Sequence, residues 1–268
     1  MATTKYEDIV VTNRGKIGII KLNRPKALNS FGGKMIPELI NAIRDLNEDP
    51  STIFTVLTGE GSGLSTPETY STTAEKKLAF LGRFMPAMEL LRSMINHKKV
   101  FVLALNGPAV GGGAAWFAGI ADIMLASSST YIQVPFSALG LVPENGSALS
   151  FSQQIGVRRA HNILTLGDKV GAQELENWGM INRVFPQETF HEDMVQFLEE
   201  LLQRNDGGSM CESKRLMNEG FRDARMLAVL RSVDALAERF VDGVPFERFE
   251  LKRRELEEKS KQRQSSKL

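Results

Sequence analysis

The chain has 268 residues, 42% of them hydrophobic and 24% charged, which is the balance of a soluble globular protein long enough for one large core and a small appended region. A formal net charge of +1 supplies no global basic field, so nucleic acid and acidic membrane surfaces are poor candidates for the main partner and any anionic ligand must be met locally. One cysteine, Cys211, and three scattered histidines, His97, His161 and His191, exclude an internal disulfide and a Cys-rich metal site and predict neither metal nor thiolate chemistry.

In chain order, Ile9 to Val11 and Ile17 to Leu22 read as strands around the turn Asn13-Arg14-Gly15,. The loop Asn23 to Asn29 then leads toward a helix from about Gly33 to Asn47,. Ile53 to Thr58 is a further strand, and after a polar loop Ala74 to Asn96 has the apolar spacing of a helix,. Val100 to Leu105 predicts a buried strand, Gly113 to Gly119 a buried helix, and Ile123 to Ala126 and Tyr131 to Val134 more strand,. Ser147 to Ile155, Ala160 to Thr165 and Ala172 to Trp178 read as short helices. From about Glu188 the pattern is nearly all helical, and Glu247 to Gln264 is almost wholly charged,. With no repeat and no long linker, the expected organisation is an α/β core over residues 1–195 and a helical carboxy-terminal region over 196–268, packed on the core or on a neighbouring subunit,.

The amino terminus lacks the charged-then-apolar pattern of a secretory signal, and the weakly polar stretch Val100 to Ala126 is interrupted by Asn106, Pro108, its glycines and Asp122, so no membrane span is expected,. Ser266-Lys267-Leu268 forms the address read by the peroxisomal import receptor, which makes the peroxisome the expected location,.

Function is most legible at Val110-Gly111-Gly112-Gly113-Ala114-Ala115-Trp116-Phe117, where an apolar strand runs through three glycines into an apolar helix. The glycines let a ligand approach the main chain, and the helix start offers unpaired N–H groups with a partial positive charge. The segment lacks the Lys-Ser/Thr of a P-loop and the spacing of a dinucleotide fingerprint, so an oxyanion site is the stronger reading than a phosphate site.

Asn106 to Gly113, together with Ile17 to Asn29 upstream, resembles the crotonase (enoyl-CoA hydratase/isomerase) family. Ala121 to Ala126, Pro135 to Glu144 and Val241 to Phe246 fit the same family, and the resemblance spans about residues 9 to 250. It implies a spiral of ββα units with a helical carboxy-terminal region, assembled as a homotrimer or a homohexamer. It also implies an acyl-CoA substrate whose thioester oxygen is held by two main-chain N–H groups. Coenzyme A enters as part of that substrate, and no separate cofactor is expected. Gly112 matches one N–H donor, and Lys26, Ala27 and Leu28 match the loop that meets the adenine end of coenzyme A. Relatives carry a longer Gly-Ala-Asp loop after the third main strand; here residues 59–68 are shorter, and Leu64 is the candidate for the second donor.

Family members that hydrate an enoyl-CoA use two glutamates, at positions that are Ala115 and Phe136 in this chain. Neither can hold or activate water, which argues against hydration. The acid stands instead at Glu144, where the peroxisomal Δ3,Δ2-enoyl-CoA isomerases carry a single base. The neighbours Phe136, Leu141 and Val142 would raise its pKa by desolvation, and the helix start near Ser147 would lower it. Asp122 is expected to cap or pair rather than react. Phe80, Phe84, Met85 and Met88 are expected in a lid or core beside the acyl pocket. Two further readings remain: a hydratase-like or isomerase-like step in a fungal-type secondary pathway to an unsaturated acid, and a non-catalytic acyl-CoA-binding subunit.

Overall fold

The computed structural model describes residues 6–25, 29, 31, 34–59 and 72–265. Lys26, Ala27, Leu28, Leu64 and the tripeptide 266–268 lie outside the described residues. A hairpin of β1 (Ile9–Arg14) and β2 (Ile17–Leu22) opens the chain. The first strand runs three residues beyond expectation, so the reversal falls at Gly15, which takes φ +57°. Helix α1 (Met35–Glu48) follows, then β3 (Phe54–Thr58), α2 (Thr73–Ile95) and β4 (Val100–Leu105). Thr72 and Glu75 form a reciprocal capping box at the start of α2, satisfying two of its orphan donors.

Among the described residues the main sheet has six strands in the order β1-β2-β3-β4-β6-β9, where β6 is Ile123–Ser127 and β9 is Arg183–Phe185. Only the opening hairpin is antiparallel; every other pair in this sheet is parallel. Parallel strands are covered on both faces, and their residues alternate between two apolar layers. On β3 and β4, Leu57, Phe101, Leu103 and Leu105 join the core formed with α1, α2 and the segments that follow. Phe54, Val56, Val100, Val102 and Ala104 point the other way and pack with Phe190, Met194, Val195 and Leu198 of α7 (Phe190–Arg204).

A smaller sheet in the order β5-β7-β8 joins β5 (Ala109–Val110), β7 (Tyr131–Gln133) and β8 (Val170–Gly171). Between β5 and β6 lies α3 (Gly112–Ala118), and α4 (Ser147–Ile155) follows the residues that lead from β7. The short helix expected over Ala160 to Thr165 is instead the end of α5 (Val157–His161) and a π-turn, Asn162–Leu166, closed at left-handed Gly167. After α6 (Ala172–Asn177) and α7 come α8 (Gly207–Glu219), α9 (Arg222–Asp242) and α10 (Val244–Ser265). Among the described residues no helix is long and apolar enough to cross a membrane.

Candidate active site

Strand β5 ends at Gly111, whose φ of 80° and ψ of −152° lie where side-chain-bearing residues are rarely found. Its N–H is taken by the Gln133 carbonyl, and helix α3 begins at Gly112 with no side-chain cap. The first turn of a helix has no intrahelical partners for its N–H groups, so this end carries unpaired donors and partial positive charge. A Cβ added at Gly112 would lie 2.8 Å from Glu144 Oε2 and 3.2 Å from Trp116 Nε1. One at Gly113 would lie 2.6 Å from the Phe31 ring. The glycines therefore admit three side chains against the start of the helix.

Glu144 reaches this place by a tight change of chain direction. Asn145 (φ 47°) and Gly146 (φ 77°) are both left-handed, a conformation that Asn and Gly tolerate best. The Glu144 carbonyl accepts the Ser147 N–H as α4 starts, and the Gly146 N–H donates to Ser232 Oγ of α9 at 2.8 Å. Among the described residues the carboxylate accepts one hydrogen bond, from the Trp116 indole Nε1–H to Oε2 at 2.9 Å. Burial pushes its pKa up to about 7, against the downward pull of the indole. Desolvation thus outweighs everything that favours the charged form.

A cavity of about 440 Å³ opens onto the Gly112 turn and the Glu144 carboxyl. Its walls are mostly aromatic and aliphatic, with Phe80 and Phe84 from α2, Leu236 and Phe240 from α9, Phe246 from α10, and Phe136, while Arg83 and Asn145 also line it. Phe80 and Phe240 stack with centroids 4.9 Å apart, which joins the α2 wall to the α9 wall. Phe80 and Phe84, expected in a lid or core, both line this cavity. Met88 packs against the core and Met85 is exposed. Of the two positions where hydratases carry glutamates, Ala115 is buried in the core and Phe136 forms cavity wall.

Asp122 pairs rather than reacts. Its carboxylate accepts from the Phe101 N–H at 2.8 Å, from Asn218 Nδ2 at 2.8 Å and from Lys214 Nζ at 2.7 Å. Trp116 and Phe31, which pack around the Glu144 carboxyl, have no role assigned from the sequence. Trp116 lies four positions after Gly112, one turn along the same helix face, and that spacing was its available signal. Phe31, which stacks on Trp116 with centroids 5.0 Å apart, sits in a loop where periodicity says nothing.

The sequence profile described as enoyl-CoA hydratase/isomerase matches residues 12–236. The chain is 30% identical over 263 residues to the Delta(3,5)-Delta(2,4)-dienoyl-CoA isomerase of Pyricularia oryzae, covering 89% of this chain and 94% of that protein. It is 32% identical over 191 residues to enoyl-CoA delta isomerase 2 of Rattus norvegicus, covering 69% of this chain and 48% of that one. The crystal structure of an enoyl-CoA hydratase/isomerase from Pseudoalteromonas atlantica T6c superposes with a TM-score of 0.79 at 22% identity, covering 91% of this chain and 95% of that chain. With the glycine-started helix, the ββα order and the profile match in agreement, this chain is a member of the enoyl-CoA hydratase/isomerase, or crotonase, family.

Proposed function

We propose that the protein is an enoyl-CoA isomerase that moves a C3 double bond of a fatty acyl-CoA to C2. The observation that carries this reading is Glu144, the one carboxyl lining the cavity among the described residues, buried against the Gly112 turn with Phe136 on the wall where hydratases carry an acid. The Glu144 carboxylate takes a proton from C2, and the C–H electron pair spreads through the thioester as a dienolate. The same carboxyl then returns the proton to C4, the C3–C4 π pair forming the new bond to hydrogen while the double bond settles between C2 and C3. Each charge-bearing N–H is worth about 2.7–4 kcal/mol to such an anion. The Gly112 N–H supplies one and the Leu64 N–H the other, while Lys26, Ala27 and Leu28 meet the adenine end of coenzyme A. Hydration is disfavoured because a water would need a second polar group to hold and orient it.

The same reading includes assembly as a homotrimer or homohexamer and import into the peroxisome through the receptor that reads Ser266-Lys267-Leu268. Similarity to the Pyricularia oryzae dienoyl-CoA isomerase along nearly the whole chain supports a second substrate, a 3,5-dienoyl-CoA, in which the proton is returned at C6. Purified protein given a 3-enoyl-CoA is expected to raise the ultraviolet absorbance of the conjugated thioester, and Glu144→Gln to abolish the rise. The 3,5-dienoyl substrate, run alongside, reports the longer-wavelength product. Bleaching of a 2-enoyl-CoA without any isomerisation points to a hydratase. Acyl-CoA binding with no turnover points to a non-catalytic subunit.

A further inference from the structure

We infer that Trp116 is a positioning residue for Glu144: its indole holds one carboxylate oxygen, Oε2, and leaves the other, Oε1, to carry the proton. The inference rests on reading Glu144 as the base, and its geometry is independent of the substrate. The Nε1–H to Oε2 hydrogen bond is 2.9 Å long, and it is the carboxylate's only hydrogen bond among the described residues. The donor is itself fixed. Phe31 stacks on the indole at 5.0 Å with the planes 25° apart, and Phe117 meets it edge-on at 6.5 Å.

Bare Gly112 completes the arrangement, since a Cβ there would lie 2.8 Å from Oε2 and 3.2 Å from Nε1. The hydrogen bond therefore occupies the space a side chain would take. A carboxylate with two free oxygens can rotate and present either, whereas one tethered through Oε2 can rotate only by breaking a charge-assisted bond. Proton removal and return then run through the same oxygen. The bonds balance without another reagent: C2–H breaks as Oε1–H forms, and Oε1–H breaks as C4–H forms.

The test is Trp116→Phe, which removes the donor and keeps a ring against Phe31. Loss of a hydrogen bond to a charged group is expected to lower kcat by about tenfold to a hundredfold, with KM within about twofold. Because the lost bond favoured the charged form, the acid limb of kcat/KM moves to higher pH. Wild-type kcat with an unmoved acid limb, or a change confined to KM, overturns the inference. A second arm needs no activity. The chain has two tryptophans, Trp116 and Trp178, so a 15N spectrum gives two indole N–H signals, assigned by W116F or by W178F. The Trp116 signal is expected to titrate with the Glu144 carboxyl and to lose that titration in E144Q; a signal indifferent to pH overturns the inference. Should wild-type protein leave every enoyl-CoA untouched, the proposed isomerase falls while this arm alone decides whether Trp116 holds Glu144.

Discussion

Glu144 sits where burial penalises its ionised form, and that cost has a sign that can be measured. Its pKa is raised by burial from 4.5 to about 7, so the folded protein keeps a proton that the unfolded chain has already released. Stability from this group is intact below pH 4.5 and is lost as the pH rises through about 7. For Glu144→Gln, which stays neutral, the stability relative to wild type is expected to rise by about 2–3 kcal/mol between pH 5 and pH 8, read by urea unfolding at each pH. A difference that does not change with pH removes desolvation as the cause. The residue was singled out through the family resemblance, which puts a single base at its position while both hydratase positions are apolar; by itself, an acid before an Asn-Gly turn reads as solvated. The Trp116 partner was not legible, because it depends on one helical turn meeting a residue 28 positions further along.

At the scale of elements, the long strands and α1 were legible from periodicity, since each buries one apolar stripe or two alternating faces. Strands β5, β8 and β9, of two or three residues, are too short to carry a period, and the π-turn after α5 breaks the helical spacing it interrupts. The junction of α2 with β3 and β4 carries a titration that opposes the one at Glu144. His97, just beyond α2, is buried, shares a 2.8 Å hydrogen bond between Nε2 and Thr55 Oγ1, and leaves Nδ1 without a partner among the described residues. Burial, with Lys214 and Lys99 nearby, pushes its pKa down to about 3. The unfolded chain takes up this proton below about pH 6.5 and the folded protein does not, so the imidazole withdraws stability as the pH falls. Between pH 7 and pH 5 that loss is about 2 kcal/mol, close to what Glu144 returns over the same window. His97→Gln is expected to remove it, so that its unfolding free energy relative to wild type climbs by about 2 kcal/mol as the pH drops from 7 to 5. A pH-independent offset in paired urea titrations counts against the buried neutral imidazole.

Across the whole molecule, the carboxy-terminal helices meet the rest of the chain through apolar packing, including α7 on the sheet, and two further contacts, one apolar and one polar, tie them to the site and to the sheet. The apolar contact is α9, which places Phe240 against Phe80 of α2 and so completes the cavity wall. The polar contact is Lys214 of α8, a buried ammonium that bonds the Lys99 carbonyl at 2.6 Å and Asp122 at 2.7 Å. Burial lowers the lysine pKa while Asp122 and Cys211 raise it, so the charge persists in a dry place only because its partners are fixed. Asp122 in turn orders the Phe101 amide and Asn218, and one carboxylate thereby couples β4 and the approach to β6 with α8. An acid at an apolar helix-strand corner made pairing the expectation for Asp122, but its partners come from residues 21 and 96 positions away, a distance no local pattern reaches. Lys214→Met removes the cation and leaves the carboxylate buried, which costs about 3–5 kcal/mol. Because neither residue lines the cavity, turnover per folded molecule should match wild type at a temperature where the variant is intact, even as its urea midpoint falls. Unchanged stability would mean that solvent reaches Asp122 and takes over the lysine's place. Loss of turnover in folded protein would mean that α8 shapes the site through the sheet.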